Sequence, residues 1–238
     1  MSEVRESYTV LGVIPARGGS KGIPKKNIKP LLGRPLLAYT VDAARKSERL
    51  THIAVSTDDA EIAAVARELG VDVVDRPQEL ASDTTPTLPA VQHALDVLEP
   101  RQGRFDYVFT LQVTSPFRSA GDIDRAIELL HTSGAESVIG VVRVHDNHPA
   151  RIKRIRNGRL EAFDTPEPEG IRRQDLAPAY LRNGAVYVVR RDVIDRGSLL
   201  GEDQCPYEMS PERSINIDEP LDFALAEAAL AGGFVEAP

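Results

Sequence analysis

Short apolar runs alternate with longer helical stretches along most of this chain, and few folds accept that rhythm. Residues 8–14, 52–56, 71–74, 105–111 and 137–144 read as buried strands. Between them, residues 35–46, 59–69, 87–98 and 121–130 read as helices. Pro35 sits near the first turn of the first helix and basic residues near its end, as the exposed backbone groups at helix termini favour. Asp58 or Asp59 can cap the second helix, and Gly70 stops it. Such an order predicts an α/β fold, a mostly parallel sheet with helices on both faces.

The rhythm breaks at residues 145–180, which are rich in Arg, Pro and Glu. Their apolar pieces, such as residues 160–163, are too short for a second core. This segment is expected to be an insertion of hairpins and loops within a single domain over residues 1–238. A strand at 183–189 then returns to the sheet, and residues 219–230 read as an amphipathic closing helix. A chain of 238 residues can bury a sizeable core as one domain with an elaboration. No internal repeat, low-complexity tract or heptad run is visible.

Residues 15–27 follow the first strand and hold the densest chemistry. Gly18, Gly19 and Gly22 keep side chains away from the backbone, while Arg17, Lys21, Lys25 and Lys26 concentrate positive charge. A flexible cradle of N–H groups with cations, at the carboxyl end of a strand, suits a polyphosphate. There is no Gly-Lys-Ser/Thr of a Walker loop, and the adjacent glycines break the Gly-x-Gly-x-x-Gly spacing. A solvated basic turn has the same composition.

These cations stand out against a net charge of −7, which disfavours general attraction to nucleic acid or to a membrane surface. No apolar run approaches a membrane span. The first seven residues are polar and charged, so no signal peptide is expected. Cys205 is the single cysteine, which suits a reducing, cytoplasmic setting.

Six further segments strengthen the phosphate reading, because with the basic loop they resemble one family. The loop from Ile14 to Asn27 is similar to a signature of the CMP-sialic acid synthetases and related cytidylyltransferases. Val55-Ser56-Thr57-Asp58-Asp59, the segment from Arg76 to Thr84, and Leu111-Gln112-Val113-Thr114-Ser115-Pro116-Phe117-Arg118 follow in that family's order. So do Arg173-Gln174, Asn183-Gly184-Ala185-Val186-Tyr187 and Ile215-Asn216-Ile217-Asp218. The resemblance implies a Rossmann-like nucleotidyltransferase, using CTP and Mg²⁺ to activate an acidic acceptor as a CMP conjugate with release of pyrophosphate. It also implies a homodimer in which the 145–180 insertion reaches onto the partner.

Carried onto this chain, the resemblance assigns Arg17, Lys21 and Lys26, with Ser20, to the phosphates. Ala16, Gly18, Asn27, Arg76 and Thr87 become the remaining nucleotide contacts; loop hydrogen bonding explains Arg76 and Thr87 equally well. Gln112, Arg173, Asn183 and Tyr187 fall to the acceptor. A guanidinium at Arg173 suits a carboxylate or a phosphonate, with Arg172 as its rival. Tyr187 is also compatible with ordinary core. Metal binding falls on Asp218 and Asn216.

This chain departs from the pattern at two places. The family's first metal-site aspartate is Asn216 here, a neutral ligand in place of a charged one. Alternation on a strand would put residues 216 and 218 on one face. Leu199 and Leu200 stand where sialic acid enzymes can carry an aromatic pair near the sugar's acyl group. The cluster His145-Asp146-Asn147-His148 looks like a metal site, but a solvated loop explains it better. The expected acceptor is a sialic-acid-like nonulosonic acid. A phosphonate is the alternative, and a catalytically weak nucleotide-binding homologue is a third reading.

Overall fold

A computed structural model describes residues 8–20, 22–82, 84–144, 147–164, 166 and 169–238. Strand β1 (Val10–Pro15) lies in the interior of the sheet, and β2 (Pro30–Leu31) and β3 (Arg34–Pro35) form a small hairpin after the basic loop. Helix α1 (Leu36–Arg45), strand β4 (His52–Thr57), helix α2 (Ala60–Glu68) and strand β5 (Asp72–Asp75) continue the alternation. Helix α3 (Thr87–Gln102), strand β6 (Tyr107–Thr110), helix α4 (Ala120–Ser133) and strand β7 (Ser137–Val144) complete the first part. The hairpin β8 (Lys153–Arg156) and β9 (Arg159–Ala162) occupies the insertion. Strand β10 (Ala179–Arg190), helix α5 (Arg191–Asp195), strand β11 (Gln204–Met209) and helix α6 (Pro220–Ala231) finish the chain.

Seven strands join in the order β11-β7-β10-β6-β1-β4-β5. β10 is antiparallel to both its neighbours, and every other pairing is parallel. The mixed order has a simple cause: the insertion between β7 and β10 is a long excursion without a crossover helix, so the chain re-enters from the opposite end.

The period of two along β1 divides the core. Val10 and Ile14 pack with α1, α2, α4 and α6 on one face. Leu11 and Val13 pack with α3 and α5 on the other. Helices therefore cover both faces, as the alternation predicts. Local signals set several helix starts. The Asp59 carboxylate accepts from the N–H groups of Glu61 and Ile62 and caps α2. Ser119 and Asp122 form a reciprocal capping box at α4.

α6 differs from its amphipathic expectation. Phe223, Ala226 and Ala229 face the core, but Leu221 and Leu225 are exposed. Its twelve residues carry only Asp222 and Glu227 as charges, so most of its circumference is apolar. Residues 215–218 also form no sheet strand. The Ile217 N–H donates to the Thr114 carbonyl at 2.8 Å, and its side chain is fully buried.

Candidate active site

The parallel strands β1, β4, β5 and β6 end at one edge of the sheet, where open α/β sheets bind ligands. A cavity of about 560 Å³ opens there. Arg17, Ser20, Lys26 and Asn27 reach it from the basic loop, Arg76 from the end of β5, and Thr87 from the start of α3. Gln112 reaches it from the end of β6 and Asp218 from the segment before α6.

Backbone contacts hold the loop in shape. The Ala16 N–H donates to the Ser56 carbonyl at 3.0 Å, and the Gly18 N–H to Asp58 Oδ1 at 3.0 Å. Asp58 and Asp59 thus divide their work, one clasping the loop and the other capping α2. A Cβ on Gly18 would lie 2.6 Å from Asp59 Oδ2, and one on Gly22 would lie 2.6 Å from the Asp218 carbonyl. Both positions admit only glycine without displacing backbone or acid. Asn27 is buried and donates from Nδ2 to the Arg17 carbonyl at 2.9 Å, so it braces the loop as well as lining the cavity.

The cations take distinct places. Lys25 turns away to pair with Glu61 at 2.5 Å on the surface. The Lys26 ammonium donates to the Ile217 carbonyl at 2.8 Å and to Asp218 Oδ1 at 3.0 Å. That ion pair is open to water on the Asp218 side, which is 62% exposed, so it is worth at most about 1 kcal/mol. A hydrogen bond to an anionic phosphate contributes about 1.5–3 kcal/mol, enough to draw Lys26 across. Arg76 is buried and donates from Nε and Nη2 to Ser56 Oγ and its carbonyl, at 3.1 and 2.7 Å. Burial holds its guanidinium below the ordinary value; Asp58 pulls it back and Arg17 adds to the lowering. It remains charged at neutral pH. Lys21 lies outside the described residues.

A second cavity, about 390 Å³, shares Pro86, Thr87 and Gln112 with the first. Leu88, Tyr187, Leu199 and Leu200 give it apolar walls, and Arg182 lines it too. Burial pushes the Tyr187 phenol above its ordinary value, and the Arg182 charge pulls it back. The two leucines singled out in the sequence thus stand beside Gln112, within one continuous cleft.

Two expected acceptor residues are not brought to this cleft. Arg173 lies in the insertion and lines a separate cavity with Arg143 and His148. The excursion after β7 carries it away from the carboxyl ends of the parallel strands. Asn183 is buried and its amide is spent on the fold. Nδ2 donates to Ser214 Oγ at 3.0 Å, while Oδ1 accepts from the Ala185 N–H at 3.0 Å. These bonds hold a turn at Gly184, whose φ is +77°. A Cβ there would lie 3.1 Å from Gln112 Oε1 and 3.3 Å from Asn216 Oδ1, so the turn seats both.

For Mg²⁺, the donors fit in reduced form. Among the described residues no group of three or more His, Cys, Asp or Glu gathers at one point. Asn216 Nδ2 donates to Asp218 Oδ2 at 2.5 Å, so the two side chains share a side although they lie outside the sheet. Asp218 and Glu219 both line the cavity, and Glu219 is also engaged in the capping box of α6, which leaves Asp218 as the carboxylate outside a helix cap. One carboxylate with substrate phosphates and water is an ordinary Mg²⁺ arrangement. His145 and Asp146 are outside the described residues. Both ring nitrogens of His148 are engaged, with the Ala150 N–H at 3.2 Å and the Ala177 carbonyl at 2.9 Å.

Sequence reasoning missed Arg182 and Arg118. Arg118 is fully buried, and its Nη1 donates to the Ala185 carbonyl at 2.8 Å, supporting the Gly184 turn from beneath. Burial lowers its guanidinium to about 10, with Asp122 opposing. Periodicity gives no sign of either role, because both depend on the path of β10.

A family model described as cytidylyltransferase matches residues 11–210. N-acylneuraminate cytidylyltransferase A of Danio rerio is 35% identical over 224 residues, 94% of this chain and 51% of that protein. CMP-N,N'-diacetyllegionaminic acid synthase of Legionella pneumophila is 37% identical over 228 residues, 92% of this chain and 94% of that protein. The chain spans about half the length of the N-acylneuraminate cytidylyltransferases it matches. Among solved structures, CMP:2-keto-3-deoxy-manno-octonic acid synthetase complexed with CTP has a TM-score of 0.69 and 18% identity, covering 94% of this chain and 99% of that one. The last likeness supports the fold. Together with the matched segments, these findings show that the chain belongs to the cytidylyltransferase family, on the branch of the CMP-sialic acid synthetases.

Proposed function

We propose that the protein transfers CMP from CTP to a sialic-acid-like nonulosonic acid and releases pyrophosphate. The observation that carries this reading is the two-part cleft. A basic, glycine-lined half meets an apolar half bearing one cation, and Thr87 and Gln112 stand at the junction. Relatives on both sides of the length divide are named for sialic or legionaminic acid substrates, which supports the acceptor class.

In this reading Arg17, Ser20 and Lys26 bind the β- and γ-phosphates, and Lys21 belongs to the same loop. The N-terminus of α3, at Thr87, adds the positive end of a sixteen-residue helix. Arg76, with Asn27 behind the loop, borders the nucleoside. Gln112 holds the acceptor so that its anomeric hydroxyl lies in line with the α-phosphorus, opposite the pyrophosphate. Asp218, with Asn216 beside it, would hold Mg²⁺, which supplies positive charge to the phosphates when bound. Most of the protein's work is then positioning and charge neutralisation.

The insertion supports a homodimer. Ile155 and Leu160 are paired across the hairpin and are 78% and 73% exposed. Ile152, Phe163 and Leu181 are exposed in the same part of the chain, a concentration that the monomer leaves in water. In such a dimer Arg173 would have a route to a partner's cleft that it lacks within its own chain. No helix of the described residues is long and apolar enough to cross a membrane, and the acidic chain with its lone Cys205 fits a cytoplasmic enzyme.

A pyrophosphate-release assay tests the reading, with each nucleoside triphosphate and a panel of nonulosonic acids, phosphonates and neutral sugars. CTP with a nonulosonic acid is expected to be the productive pair. Turnover only with a phosphonate would replace the acceptor class. Equal use of ATP would overturn the nucleotide assignment, and tight CTP binding without turnover on any acceptor would favour a binding homologue.

A further inference from the structure

Beneath the cleft the fold encloses a cation that packing alone gives no reason to keep. Arg118 is 1% exposed. Its Nη1 donates to the Ala185 carbonyl at 2.8 Å, while Nε and Nη2 are buried with no acceptor among the described residues. The Asp122 carboxylate is taken up by Ser119, Tyr207, Arg125 and Arg213, and it acts on Arg118 through charge alone. Enclosing a charge with so few hydrogen bonds opposes folding, because the water it gives up is not replaced. A methionine in the same space would avoid that penalty and forgo one bond.

The carbonyl that Arg118 holds belongs to the turn that interrupts β10. Pairing of β10 with β7 shifts register between Arg182 and Tyr187, and Gly184 adopts φ +77° there. Asn183 clips the turn from one side, through the Ala185 N–H and Ser214 Oγ. Arg118 grips it from beneath. The turn in its turn sets the floor of the cleft: a Cβ on Gly184 would lie 3.0 Å from Ser115 Oγ, 3.1 Å from Gln112 Oε1 and 3.3 Å from Asn216 Oδ1. A hydrogen bond from a charged donor is stronger than a neutral one, and at a site closed to water nothing competes for it.

We propose that Arg118 is a positioning residue for the transfer step. Its buried charge fixes the Gly184 turn, and through it Gln112 and Asn216, while lowering the stability of the fold. The role rests on the reading of the site above, in which Gln112 holds the acceptor in line. Small displacements of such a group slow the reaction far more than they disturb packing.

The test uses Arg118→Met, Arg118→Lys, Gly184→Ala and the double variant Arg118→Met, Gly184→Ala in the full chain. Each is followed by thermal unfolding and by pyrophosphate release with CTP and the best acceptor of the panel. Arg118→Met should unfold at the wild-type temperature or above it, yet its kcat should fall roughly ten- to a hundredfold while the KM for CTP holds. Arg118→Lys, which keeps a charged donor, should recover part of the loss. Gly184→Ala should also lower kcat, because its Cβ crowds Gln112 and Asn216. The double variant should lose no more than the worse single one, since both act on one turn. A kcat within about twofold of wild type in Arg118→Met overturns the proposal. So does an Arg118→Met that unfolds earlier or fails to fold, since the charge would then serve the fold itself. Losses that multiply in the double variant, or an Arg118→Lys no better than Arg118→Met, overturn it as well. Those results leave the cytidylyltransferase reading standing. A wild type that turns over no acceptor with CTP removes that reading and this one with it.

Discussion

At the scale of single residues, Asn216 is where this chain is most distinctive. Its amide donates to Asp218, and Lys26 holds the other oxygen of the same carboxylate. Each oxygen of Asp218 thus has a donor, one of them the charged Lys26. Asn216→Asp would place two carboxylates against each other. Like charges about 4 Å apart repel by about 1 kcal/mol in water-like surroundings and by more where water is scarce. We expect the variant to unfold a few degrees lower without metal, and to gain more from Mg²⁺ than wild type does. Thermal unfolding across a Mg²⁺ series, with and without CTP, measures this. A variant that is destabilised yet gains nothing from Mg²⁺ would show that this pair does not hold the metal. Asp218 was legible from its motif. The Lys26 contact was not, because it joins loops nearly two hundred residues apart in sequence, whereas the closeness of Asn216 to Asp218 follows from their spacing of two.

At the scale of elements, the start of α4 joins three parts of the fold. The buried Asp122 carboxylate accepts from Ser119, Tyr207 of β11, Arg125 and Arg213. Burial alone would push its carboxyl up. The Ser119 and Tyr207 hydrogen bonds and the Arg213 charge together hold it below its ordinary value of 3.8. A carboxyl depressed on folding stabilises the native state above its unfolded pKa, and that contribution is lost as pH falls through the folded pKa. Asp122→Asn should therefore cost about 2 kcal/mol at pH 7, since Arg213 and Arg125 remain partly solvated. The gap from wild type should narrow below pH 3.8. Urea unfolding at neutral pH and in acid checks both the size and the sign. The capping role of Ser119 and Asp122 can be read from a four-residue pattern. The links to β11 and to Arg213 cannot, because strand order is set by pairings far apart in the chain.

At the scale of the whole molecule, the insertion and α6 both leave apolar surface in water. The hairpin carries Ile155 and Leu160 outward, while Leu221, Leu225 and Phe234 are exposed at the other patch. A stable dimer needs roughly 1,200 Å² or more of buried surface in total. We expect sedimentation at micromolar concentration to give a dimer. The double variant Ile155→Glu, Leu160→Glu should shift it to monomer with little change in unfolding temperature, because neither side chain contributes to the monomer core. A wild type that sediments as a monomer while fully active would remove the dimer from the proposal. A double variant that stays dimeric would move the interface elsewhere, with the α6 patch next to be tested.

Alternating periodicity determined the α/β class, both helical faces and the carboxyl-edge position of the basic loop, since each follows from short-range patterns of burial and turn chemistry. The resemblance of its motifs to one family likewise placed the chain among the cytidylyltransferases. Tertiary structure decided the antiparallel course of β10, the separation of Arg173 from the cleft, the burial of Asn183 and the arrival of Arg182. All four follow from a single long-range event, the return of the chain after the insertion. Local sequence cannot encode which neighbour a returning strand pairs with, or how many residues a bulge takes up there. Those are settled by the packing of β10 between β6 and β7 and by the buried Arg118 that fixes its turn.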